Sequence, residues 1–168
     1  MVNVVSDAMN DARVNTRCGP ARPVTLDPGE LGNLHLVNRA AGFAPFQAYG
    51  RAKLLFAMTG YLLADRLHES GVTVNSVHPG LCATGIVDDI APPVMKPFLG
   101  LIKRSLLTPD EGAAAILRLA TEPQFADVTG RYFIRDAEAR TPEISYDRAP
   151  QQRVWDAGQA YFTADRTP

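Results

Sequence analysis

The decapeptide QAYGRAKLLF, residues 47–56, sets a tyrosine and a lysine four positions apart, Tyr49 and Lys53. On a helix that spacing puts both side chains on one face, close enough to interact. A free phenol ionises near pH 10, too high for useful proton transfer at neutral pH. An ammonium beside it stabilises the phenolate and brings it into range. Such a pair can give a proton to a carbonyl oxygen or take one from an alcohol. Spacing alone also fits a plain amphipathic helix, with a half-buried tyrosine and a lysine whose stem lies along apolar surface. Other polar groups decide between the two. Ser6 ends the apolar stretch VNVVS, and a second apolar stretch runs into the turn NSVHPGLCAT, residues 75–84. In parallel α/β sheets, ligands bind beyond the carboxyl ends of the strands.

The elements that would position these residues follow in order. Residues 2–6 are short, apolar and β-branched, as an interior strand requires. Residues 7–46 hold Gly19, Pro20, Pro23, Pro28, Gly29, Gly32, Gly42 and Pro45 and show no sustained period. They read as one long loop, with a short helical turn near PGELGNL. A helix is expected over 47–70, with Leu55, Tyr61, Leu62, Leu63 and Leu67 near helical spacing and Gly71 as its stop. A strand is expected over 72–78, halted by Pro79–Gly80. Strand, helix and strand make a βαβ unit, so the two strands should be parallel. Thr108, Pro109, Asp110 and Glu111 form a helix start, with a capping hydroxyl, an N1 proline and acids against the dipole. GRYFI, residues 130–134, reads as a further strand, and a last helix is expected from about Ala149.

With these three segments placed, the chain resembles the short-chain dehydrogenase/reductase family. VNVVSDA looks like that family's strand ending in the catalytic serine, YGRAK matches its YxxxK motif, and HPGLCAT matches its PGxxxT segment. The wording AYGRAKLL…RLHESGVTVNSVHPG is nearest to the retinol-dehydrogenase-like branch. The resemblance runs over about residues 1–135. It implies a fold, the C-terminal half of a doubly wound, Rossmann-like parallel sheet with flanking helices. It implies a catalytic set of Ser6, Tyr49 and Lys53. Tyr49 would be the acid–base group, Ser6 would hold the reacting oxygen, and Lys53 would tune the tyrosine. Tyr49, Lys53, Pro79, Gly80 and Thr84 would contact the cofactor, NAD or NADP. The substrate implied is a lipophilic alcohol or carbonyl, with residues 85–107 as its lid. A homodimer through the 47–70 helix is a further implication.

The chain also departs from that family. No Gly-rich turn follows a strand, so the backbone cradle for a pyrophosphate at a helix N-terminus is missing from the sequence. PGELGNL is nearest in composition, but it lies in the long loop. Ser6 and Tyr49 are separated by 42 residues, 7 to 48, an unusually long interval. Residues 1–168 therefore read as a single domain, N-terminally truncated. A neighbouring strand would be owed to Val2–Val5, leaving them as an exposed apolar edge.

Bulk properties close off other classes. A net charge of -1 gives no basic surface for nucleic acid. No apolar run reaches the roughly 18 residues of a membrane span. Cys18 and Cys82 have no ligand spacing, and neither His35, His68 nor His78 has metal-binding partners in sequence, so no metal site is expected. The two thiols fit a reducing, cytoplasmic setting. Two other readings remain: a non-catalytic remnant without its cofactor-binding half, and a relative of the YxxxK enzymes of nucleotide sugars, which carry a longer C-terminal domain.

Overall fold

A computed structural model describes residues 1–12, 20–34, 44–83, 97, 100, 104 and 106–164. In chain order its elements are β1 (Val2–Val4), α1 (Pro45–Arg66), β2 (Asn75–His78), α2 (Pro109–Thr121), β3 (Tyr132–Ile134), β4 (Ala137–Ala139) and α3 (Arg148–Ala164). The strands form one sheet in the order β1-β2-β3-β4. β1 and β2 run parallel with Val4 beside Val77, and β2 and β3 run parallel with Val77 beside Phe133. β4 returns antiparallel to β3.

Two apolar layers cover the sheet. On one face Val5, Met9, Leu54, Ala57, Met58, Tyr61, Tyr132 and Val154 form the larger cluster, under α1 and α3. On the other, Val77, Leu119 and Phe133 pack with Val2, Ile116, Phe125 and Val128 under α2. Alternation along the strands makes this division, since successive side chains point to opposite faces. Tyr132 enters the first layer and its neighbour Phe133 the second. This is the helix–sheet–helix layering of a Rossmann-like partial fold, as the sequence led us to expect.

Boundaries shifted where local chemistry intervened. Strand β1 ends at Val4, because Ser6 turns the chain into a 3-10 turn over Asp7–Met9 and caps it. The expected 47–70 helix is α1 followed by a separate 3-10 turn, His68–Ser70, which ends at Gly71 with φ 73°. β2 begins at Asn75, not at residue 72. The Asn75 side chain explains that start. It donates to the Val128 carbonyl at 2.6 Å and accepts from the Arg131 amide at 3.1 Å, tying β2 to the approach to β3. The Thr108 start is a capping box, with Thr108 and Glu111 each bonding the other's backbone. Around PGELGNL, residues 28–32 make turns and Leu34 is helical. The antiparallel β4 was not expected. Its two-residue connection is Arg135-Asp136, with Arg135 at φ 57°. Such hairpin turns favour Asn-Gly or Asp-Gly, so an Arg-Asp pair gave no warning.

The expected apolar exposure of residues 2–5 is corrected by the structure. Val5 is buried beneath α1 at 3% exposure, and Val2 is half-buried under α2, so the outer strand is not an apolar ribbon from 2 to 5. Val4 alone of these valines is exposed.

Leu54 is completely enclosed in the larger core layer. Leu54→Ala should cost about 2–5 kcal/mol in denaturant unfolding. A loss below about 1 kcal/mol would show a layer loose enough to close over the gap.

Candidate active site

Helix α1 runs antiparallel to β1, and its glycines mark the crossing. A Cβ on Gly60 would sit 2.7 Å from the Asn3 amide nitrogen in β1, while one on Gly50 would sit 2.6 Å from the Ala8 carbonyl oxygen. The N-terminal half of α1 therefore lies over the carboxyl end of β1. Gly50 is the residue after Tyr49, and Ala8 sits in the turn that Ser6 caps. Lacking a side chain at Gly50, the helix settles directly on that turn. The site thus has a positioning residue that the motif hides, since the x positions of YxxxK look free.

Ser6 is half-buried and adopts an extended backbone, φ -145° and ψ 142°. Its hydroxyl oxygen accepts from the Ala8 amide at 3.3 Å. A hydroxyl offers one proton and two acceptor lone pairs, so the Ser6 proton stays available for an oxygen of a ligand. Tyr49 is half-buried too. Its ring lies 6.2 Å from the Phe46 ring and 30° from parallel to it. The Lys53 ammonium is 5.6 Å from the Tyr49 ring centroid, within cation–π reach. Its hydrogen bond goes to the Val4 carbonyl at 3.2 Å. The two residues share a face, as the spacing requires, and the lysine reaches across to the strand that leads into Ser6.

Pro79 and Gly80 leave the neighbouring strand β2 at the same end of the sheet as Ser6 leaves β1. Gly80 has φ 107°, and a Cβ there would strike Leu107 at 2.5 Å. Only glycine fits both the backbone angle and the space. The turn is fastened below: the Ala83 amide donates to the Leu107 carbonyl at 2.8 Å, and the Leu107 amide donates to the Leu81 carbonyl at 3.0 Å. Cys82 packs directly against Gly112 in the first turn of α2. Thr84 lies outside the described residues, as do Cys18, His35 and nearly all of the expected lid, 85–107.

Other tyrosines serve packing. Burial pushes the Tyr61 phenol up, and its oxygen pairs with the Thr141 hydroxyl at 3.0 Å. Burial, with help from Asp7, likewise raises Tyr132. Both stay neutral and belong to the core. His78 is buried at the end of β2, where its carbonyl accepts from the Arg135 amide at 2.8 Å. Among the described residues, no group of three or more His, Cys, Asp or Glu side chains could hold a metal.

An open α/β sheet carries a tyrosine–lysine helix over a strand-end serine, in the layering of a Rossmann-like partial fold. Comparison with known proteins narrows that fold to a family. Polyprenol dehydrogenase of Danio rerio is 30% identical over 67% of this chain, which spans 36% of that protein. Human retinol dehydrogenase 14 is 34% identical over 66% of the chain, which spans 34% of it. The chloroplastic short-chain dehydrogenase TIC 32 A of Brassica napus is 31% identical over 71% of the chain, which spans 38% of it. No family model matches the chain. The chain belongs to the short-chain dehydrogenase/reductase family, and what it shares with these relatives is the C-terminal part of that fold. It spans little more than a third of each relative named.

Two outcomes follow from this geometry. Gly50→Ala forces a methyl against the backbone of the serine turn, which cannot yield as a side-chain tip would. It should cost roughly 1–3 kcal/mol of stability by denaturant unfolding; an unchanged midpoint would mean that α1 does not rest on the turn. Hydrogen bonds from the Thr108 backbone and side chain hold the Glu111 carboxyl below its usual range. A carboxylate depressed on folding stabilises above its unfolded pKa, and that contribution fades as pH falls through its folded pKa. Glu111→Gln should thus narrow the gap to wild type as the solution is made acid. A gap that widens on acidification would reverse the assignment. The effect is small, because this carboxylate is fully exposed.

Proposed function

We propose that this chain carries the catalytic face of an NAD- or NADP-dependent oxidoreductase that interconverts an alcohol and a carbonyl on a lipophilic substrate. One observation carries the reading: Lys53 and Tyr49 share a face of α1, and Lys53 reaches the strand that leads into Ser6. In reduction Tyr49 gives its proton to the carbonyl oxygen, and in oxidation it takes the proton from the alcohol. Ser6 donates to the same oxygen through its free O–H. A bound nicotinamide would give the hydride in reduction and accept it in oxidation; Pro79, Gly80, Thr84, Tyr49 and Lys53 are the residues that would hold it.

The lipophilic class is supported by the relatives named for retinol and polyprenol. Pairing through α1 into a homodimer, and a cytoplasmic setting drawn from the two unpatterned cysteines, are parts of the same proposal. A non-catalytic reading is favoured by one observation, the lack of a Gly-rich turn after a strand in this sequence. On either reading the isolated chain should leave NADH and NADPH fluorescence unchanged at micromolar concentration. Saturable quenching or enhancement would show that a cofactor seat exists within it.

The two readings separate in a chimera that carries this chain in place of the matching segment of human retinol dehydrogenase 14. Oxidation of long-chain alcohols, followed by nicotinamide absorbance, should be supported by the chimera. Tyr49→Phe should lower it about 100-fold or more. Equal turnover with phenylalanine would remove the acid–base assignment, and a folded but inactive chimera would favour the remnant.

A further inference from the structure

The hydrogen bond of Lys53 falls on a backbone carbonyl with a particular place in the sheet. Parallel pairing sends alternate residues of a strand toward the same neighbour. The Met1 carbonyl accepts from Asn75 at 3.0 Å, and the Val5 amide donates to Val77 at 2.9 Å. Odd-numbered residues therefore serve β2, and the carbonyls of Val2 and Val4 point the other way, along the outer edge of β1. Among the described residues β1 pairs with β2 alone.

The Val4 carbonyl and the Val5 amide belong to one planar peptide. Lys53 takes its oxygen side at 3.2 Å, and Val77 takes its N–H side at 2.9 Å. The three groups form a continuous chain from α1 through β1 to β2. A positive donor on the oxygen polarises the peptide and strengthens donation from its N–H. The next residue is Ser6.

We propose that Lys53 has a second task, as a positioning residue: through the Val4–Val5 peptide it locks the end of β1 and fixes Ser6. This lock does not depend on the oxidoreductase reading, because it needs neither cofactor nor substrate. It also gives the lysine a reason to be retained in a non-catalytic chain.

Amide hydrogen exchange on the whole chain tests it. In Lys53→Met the Val5 amide should exchange roughly fivefold to tenfold faster. Lys53→Arg, which keeps a cationic donor, should restore most of the protection. Tyr49→Phe should leave Val5 exchange unchanged, although it removes the proposed acid–base group. Trp155, stacked on Arg66 at the far end of α1, reports by fluorescence whether each variant keeps its fold. If Lys53→Met misfolds, Lys53→Arg and Lys53→Gln compared by Val5 exchange decide the point. Val5 protection in a folded variant that is indifferent to the charge at position 53 would overturn the lock. That result would leave the oxidoreductase proposal intact, and a failed chimera would leave the lock intact.

Discussion

The close approach of α1 to β1 is the constraint on which the rest of this structure depends. It brings a helix bearing Tyr49 and Lys53 onto a strand that runs into Ser6, and it tolerates almost no intervening volume. Gly60 meets Asn3 at one end of the contact and Gly50 meets Ala8 at the other. Between them Leu54, Ala57 and Met58 fill the layer completely. Close-packed interiors transmit displacement instead of absorbing it. The distance between a serine on a strand and a tyrosine on a helix is therefore set by backbone contact and core volume, away from the polar groups themselves.

The remainder of the fold steadies that contact from three sides. α3 packs on the far flank of α1, where Val154 joins the core and Arg148 pairs with Asp65. The segment before α3 is anchored to the same helix by the buried hydroxyls of Tyr61, Thr141 and Ser145. Beneath the sheet, α2 supports the turn after β2 through Cys82 and Leu107. Two strand ends and one helix end thus converge at the carboxyl side of the parallel strands β1 and β2, the position where this architecture presents ligands.

Much of this was legible in the residues. Thr108 announced a helix start, and Gly71 the end of the turn that follows α1, because their chemistry is local. The βαβ order followed from the change of period between residues 47–70 and 72–78. β4 was missed because an Arg-Asp turn lacks the usual glycine or asparagine, and Arg135 accepts a left-handed angle under tertiary pairing. The strand boundaries moved for the same kind of reason. Asn75 starts β2 through bonds to residues more than fifty positions away, and no window on the sequence contains them. The apolar edge was overstated because reading VNVV as a ribbon ignores which face each valine takes.

By itself the sequence determined the class of protein: three ordered motifs, VNVVS, YxxxK and PGxxxT, each made of residues whose chemistry is intrinsic. It also determined that no Gly-rich turn follows a strand in this chain. Tertiary structure alone decided where the lysine's charge is spent. Spacing puts Lys53 beside Tyr49, but only the packing of α1 across β1 brings its ammonium to the Val4 carbonyl. It alone decided, too, that Gly50 matters. A glycine in a helix reads as a weakness until the neighbouring backbone is seen to occupy the space that a side chain would take.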